Sequence, residues 1–149
     1  VLFGEEQRSA LNISKYKNSS YKKSKVLYGL SKSRDSIINN NNVYIVEGYF
    51  DKISMDKNGY KNCVAICGTA FSSRHFLSLS KYTDTMTFLL DSDDAGVASA
   101  QKIYSKYSNK GVNLNFLNLN QECKDIDEFF LNNSSDDFLS IESIIPDVW

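Results

Sequence analysis

The sequence predicts an α/β domain, a mainly parallel sheet flanked by helices, preceded by a small basic subdomain. Three observations carry this. Short β-branched and aromatic runs alternate with single segments of helical spacing, and such an order demands crossover connections, nearly all of them right-handed. The chain of 149 residues has the length of one ordinary domain, enough to bury most of its apolar surface in a core without disulfides. Its charge is split: residues 1–42 hold eight Lys/Arg against three acids, residues 43–149 nine against fifteen, so a +5 arm precedes a −6 body. The four asparagines at 39–42, turn-prone and apolar-free, mark the expected boundary between them.

Each element follows from its residues. Val43 to Val46 is a strand run. Tyr49 to Asn58 has helical spacing, with Phe50, Ile53 and Met55 as its apolar positions, and Gly59 closes it. Val64 to Ile66 is again strand-like. Ser72 and Ser73 can cap a helix whose apolar positions are Phe76, Leu77 and Leu79. Met86 to Leu90 reads as a strand, and Ala95 to Tyr107 as a helix ending before Asn109 and Gly111. Val112 to Leu119 alternates apolar residues with asparagines, a strand with one wet face at a sheet edge. Asp125 to Leu131 opens with acids, as a helix N-terminus prefers.

Composition excludes several classes. With 42% hydrophobic and 23% charged residues, one Pro and seven Gly, the chain is neither collagen-like nor wholly disordered. No apolar run reaches the roughly 18 residues of a membrane span. The three Cys and one His are not read as a four-ligand structural zinc site, and an odd Cys count suits a reducing compartment. With Val first and no leader pattern, the sequence reads as a piece of a longer cytoplasmic protein. Cys63 and Cys67 read as small buried hydrophobes, His75 as a packing or capping residue, and Tyr28, with Leu27 and Leu30, as core.

In parallel sheets ligands sit beyond the carboxyl ends of the strands. The residues following the four strands are Glu47-Gly48, Cys67-Gly68-Thr69, Asp91-Ser92-Asp93 and the acidic turn 122–127. Carboxylates therefore follow three of four strands on one rim. Glu47, Asp51, Asp91, Asp93, Asp125 and Asp127 would repel one another there, and either solvation or a hard divalent cation would relieve them. An EF-hand loop starting at Asp91 fails, because Ala95 and Lys102 stand where ligands are needed. A nucleophilic-aspartate phosphatase fits poorly, because its Asp-x-Asp follows the first strand. In the arm, seven Lys/Arg between Lys15 and Arg34, interleaved with Tyr16, Tyr21 and Tyr28, suit phosphate contact or plain solvation.

Val43-Tyr44-Ile45-Val46-Glu47-Gly48-Tyr49-Phe50-Asp51, Gly68-Thr69-Ala70 with His75, and Leu90-Asp91-Ser92-Asp93-Asp94-Ala95-Gly96 together resemble the Toprim domain of bacterial DnaG-type DNA primases. Upstream, Lys23-Ser24-Lys25-Val26-Leu27-Tyr28-Gly29-Leu30, Arg34 and Lys15-Tyr16-Lys17-Asn18-Ser19 are similar to that family's basic subdomain. The resemblance runs from Phe3 to about Leu131. It departs at Ser92, where the family has Gly, at a loop about four residues shorter after Ser19, and at Glu5-Glu6, where the family continues with Gly-Arg.

The resemblance implies a Toprim fold with a C-terminal helical extension over 43–149 and an RNA polymerase that lays short primers on single-stranded DNA. It implies Glu47, Asp91 and Asp93 as catalytic, and Asp51, Asp125 and Asp127 as further members of a rim holding Mg²⁺ or Mn²⁺. Lys15, Asn18, Lys23, Lys25 and Arg34 fall on template- or nucleotide-contacting positions. The implied partners are the template strand, ribonucleoside triphosphates and a replicative helicase. The helicase would bind through a carboxy-terminal domain and zinc would bind an amino-terminal domain, both outside this sequence. A monomer without membrane attachment is expected. The alternatives are a Toprim nuclease or topoisomerase, and a non-catalytic Toprim DNA-binding mediator.

Overall fold

The computed structural model describes residues 26–91, 93–119, 123, 125–141 and 143–144. The elements run α1 (Leu30–Asn40), β1 (Val43–Val46), α2 (Tyr49–Lys57), β2 (Cys63–Ala65), α3 (Ser73–Leu79), β3 (Thr85–Leu89), α4 (Asp94–Tyr107), β4 (Asn113–Leu117), α5 (Ile126–Asn132) and α6 (Ser135–Leu139). The four strands form one all-parallel sheet in the order β2-β1-β3-β4. The α/β class expected from the alternation is the one observed.

Strand alternation sends apolar side chains to both faces. On one face Val43, Ile45, Met86, Phe88 and Phe116 pack with Ile37 of α1, Phe76 and Leu79 of α3, and Ile103 of α4. On the other, Val46, Ala65, Leu89 and Leu117 pack with Met55 of α2, Ile126 and Phe129 of α5, and Phe138 of α6. Both sheet edges are partly covered by antiparallel bridges, Tyr28 against Ala65 and Ser143 against Leu117. That blunts the open edges that alternating Asn residues leave on β4.

Several details differ from the periodicity. In α2 only Met55 of the three expected apolar positions is buried; Phe50 is 63% exposed and Ile53 39%, while Lys52 is buried. Lys52 tolerates burial because it pairs with Asp56 one turn on and lays its stem under Gly29. Leu77 of α3 faces solvent, and Tyr28 is half-exposed with its ring edge on Tyr49, 4.9 Å between centroids, instead of lying in the core. Gly29 sits at φ +85°, and a Cβ there would come within 2.5 Å of Lys52 Cε. Gly29→Ala is therefore expected to cost about 2 kcal/mol in denaturant melts, from left-handed strain plus overpacking.

Candidate active site at the carboxyl ends of the strands

The last residue of β1 delivers Glu47 to the sheet's upper rim. Beside it, the backbone of Ile66 and Cys67 continues past β2, the Cys67 N–H donating to the Glu47 carbonyl at 2.9 Å. On the other side β3 delivers Asp91, whose backbone N–H donates to Glu47 Oε1 at 3.1 Å. One hydrogen bond thus locks the Glu47 carboxylate across the ends of two adjacent parallel strands.

The other acids enter through helix starts. Asp51, in the first turn of α2, accepts the Gly48 N–H at 2.9 Å. Asp93 caps α4 by accepting the Gly96 N–H at 2.8 Å, and Asp125 caps α5 by accepting the Glu128 N–H at 2.9 Å. Helix N-termini favour negative side chains, so folding itself holds these carboxylates in place. Two glycines make the approach possible. A Cβ on Gly96 would lie 1.9 Å from the Asp91 carbonyl oxygen, and one on Gly48 would lie 2.8 Å from Asp51 Oδ2.

Electrostatics tie the group together. Burial pushes the Glu47 carboxyl above its usual range against the Asp91 N–H bond, and the charges of Asp91, Asp93 and Asp51 push the same way as burial. Burial likewise raises Asp51 from 3.8 to about 6; the Gly48 and Asp127 N–H groups oppose it, and Asp125 and Asp91 add repulsion. Of the six acids expected on the rim, Asp91, Asp93 and Asp51 act electrostatically on Glu47, and Asp125 and Asp91 on Asp51, whereas Asp127 reaches Asp51 only through its backbone N–H.

Among the described residues no three His, Cys, Asp or Glu side chains converge tightly enough to enclose an ion by themselves. Glu47, Asp51, Asp93 and Asp125 each turn an oxygen to a backbone N–H group instead. The donor chemistry fits Mg²⁺ or Mn²⁺ better than a soft metal, because it is all carboxylate and because Mg²⁺ keeps several waters and takes only one or two carboxylates. Repulsion among desolvated acids is the physical reason such an ion would be welcome.

This predicts a pH response. A carboxyl raised in the folded state binds its proton more tightly than in the unfolded chain, so its stabilising contribution is present below about pH 4 and is lost as pH rises through about 6. In metal-free buffer the stability difference between Asp51→Asn and the natural chain should therefore move in the variant's favour from pH 4 to 7, by about 2 kcal/mol after allowance for screening. Melting curves across that range check it.

Of the residues expected to contact nucleic acid, Lys15, Asn18, Lys23 and Lys25 lie outside the described residues, as do Ser92 and Lys124. Arg34 is exposed on α1 and pairs with Asp35 at 3.4 Å. His75 is fully buried and accepts the Ser72 N–H through Nδ1, the capping role expected of it. Cys63 is buried and Cys67 half-buried, with a left-handed backbone at φ 52°. The structural duties of Gly48 and Gly96 were not readable from spacing; their only signal was a glycine one residue after Glu47 and three after Asp93.

Comparison with known proteins agrees with this geometry. The profile of the Toprim-like family matches residues 44–130. The DNA primase of Borreliella burgdorferi is 37% identical over 84 residues, 56% of this chain and 16% of that protein. The Aquifex aeolicus primase, solved with its zinc-binding and RNA polymerase domains, superposes with a TM-score of 0.74 at 28% identity, covering 87% of this chain and 33% of that one. The RNA polymerase domain of the Mycobacterium tuberculosis primase, in complex with double-stranded DNA bearing a 6-nucleotide overhang, gives a TM-score of 0.63 at 26% identity, covering 78% and 38%. The chain thus spans about a sixth of the length of curated relatives such as the first. The matched span begins inside β1 and ends inside α5, taking in every strand and all six rim acids, and on it the chain belongs to the Toprim-like family.

Proposed function

We propose that the chain is the catalytic segment of a DNA primase, a nucleotidyltransferase that joins ribonucleotides on a single-stranded DNA template. The observation that carries this is the Glu47 carboxylate fixed to the Asp91 backbone N–H at neighbouring strand ends, with Asp51 and Asp93 acting on it. The similarity to DNA primases over this span supports the choice of reaction.

In this reading Glu47, Asp91 and Asp93 are the catalytic carboxylates, and Asp51, Asp125 and Asp127 complete the rim. When bound, Mg²⁺ or Mn²⁺ supplies charge neutralisation for the triphosphate and the departing pyrophosphate. Glu47, its proton affinity raised by burial, would accept the proton of the attacking 3′-hydroxyl. Asp93 and Asp51, fixed by helix-start hydrogen bonds, need no reorganisation when substrate arrives. Residues 1–42, with Lys15, Asn18, Lys23, Lys25 and Arg34, form the arm that holds the template, and residues 43–149 the catalytic domain. Helicase engagement and zinc binding belong to other parts of the same protein. A monomeric, cytoplasmic protein completes the reading; among the described residues no helix is long and apolar enough to cross a membrane.

The test is synthesis on single-stranded DNA with labelled ribonucleotides, with and without Mg²⁺. RNA oligomers that require the cation are expected. Cleaved or relaxed DNA, or no product, would overturn the reading.

A further inference from the structure

A cleft of about 900 Å³ opens beside Glu47 and runs along α4 against the turn that follows β2. Ile66, Phe71, Leu90 and Ile103 make its apolar floor, and Lys102 and Lys106 stand on its outer wall. Its size and apolar lining are those of a ligand site. The two lysines are exposed and form no ion pair among the described residues. They lie in a body whose net charge is −6, so the cleft is a local place for an anion.

The cleft has a direction. Asp93 caps the end of α4 nearest Glu47, and Lys102 and Lys106 follow about 14 and 20 Å down the helix axis, about 6 Å apart. A single nucleotide at the rim does not reach both lysines. A short strand does, with successive phosphates on successive lysines and bases on the apolar floor. The basic arm of this chain, the other candidate occupant, would be repelled by them.

We propose that this cleft holds the 3′-terminal nucleotides of the growing RNA strand, the terminal hydroxyl at Glu47 and the backbone phosphates on Lys102 and Lys106. The strand's polarity, 3′ end at the rim and 5′ end toward Lys106, rests on the primase reading; the nucleic-acid site does not.

Fluorescence anisotropy with a 5′-labelled tetraribonucleotide tests it. The Lys102→Ala/Lys106→Ala double variant should bind about tenfold more weakly than the natural chain and lose about 1.4 from the slope of log affinity against log salt, two single-strand phosphate contacts. Ala70→Glu, at an exposed position on the cleft wall, should weaken binding similarly by repulsion, and Lys110→Ala, beyond the end of α4, should change nothing. An unchanged slope in the double variant, or no binding by the natural chain, overturns the proposal. So does competition by a ribonucleoside triphosphate as strong as by the unlabelled tetraribonucleotide, which would mean a one-nucleotide site. Primer synthesis run in parallel separates the two claims. Synthesis with an unchanged slope removes the cleft alone, whereas slope loss without synthesis removes the primase reading alone.

Discussion

Glu47→Gln is expected to reduce primer synthesis by three orders of magnitude or more while leaving the metal-free fold at least as stable as before. Glutamine keeps a carbonyl oxygen where Glu47 Oε1 accepts the Asp91 N–H, so the bond across the strand ends survives. What disappears is a charge that burial and three acidic neighbours disfavour. Removing one group that acts on developing charge in the transition state commonly lowers turnover by about 10²–10³, and here the same change also removes the proton acceptor. Rate and melting temperature are measured together: a fall in both would mean Glu47 is structural, and residual synthesis within tenfold of the natural chain would remove it from the chemistry.

Gly96→Ala should be the most damaging small substitution outside the acids themselves. In a helix interior alanine normally gains about 1 kcal/mol over glycine. Here its Cβ would stand 1.9 Å from the Asp91 carbonyl oxygen, so backbone must move. Moving it pulls Asp91 away from Glu47 and loosens the Gly96 N–H bond to Asp93. A net loss of about 2 kcal/mol is expected from overpacking, together with at least a hundredfold fall in synthesis, since small displacements of reacting groups are amplified in rate. Gly59→Ala is the contrast: its φ is +92° but nothing lies within 4 Å, so only local strain of about 1–2 kcal/mol is expected, with synthesis unchanged. Equal effects of the two variants would show that crowding at Asp91 is unimportant.

The sheet was legible because β-branched runs separated by single helical segments leave few topologies, and Glu47 and Asp91 were legible because they closely follow strand ends. Helix α1 was not read. Its sequence, LSKSRDSIINN, is rich in Ser and Asn, and its N-cap, Gly29, offers no side-chain bond. It forms through packing instead: Ile37 enters the core and Ser33 Oγ donates to the Cys63 carbonyl at 2.8 Å. Five-residue α6 falls within the expected C-terminal helical extension but has no spacing signal of its own, being held by Phe138 among the rings of Tyr44, Tyr60 and Phe130 and by a Ser134–Asp137 cap. Strand ends could place the acids on one rim, but not the N–H groups that each would accept from. Those depend on the angle at which every helix leaves the sheet, which periodicity does not encode.

The central claim, that the parallel sheet gathers mutually repelling carboxylates that a divalent cation relieves, is tested most directly by the melting temperature of the natural chain and of Glu47→Gln with and without millimolar Mg²⁺ or Mn²⁺ at pH 7.5. At ten times the dissociation constant, binding to the folded state alone contributes about 1.4 kcal/mol, a shift of several degrees for the natural chain and a smaller one for the variant. Identical curves with and without cation, or equal shifts in both proteins, would contradict it.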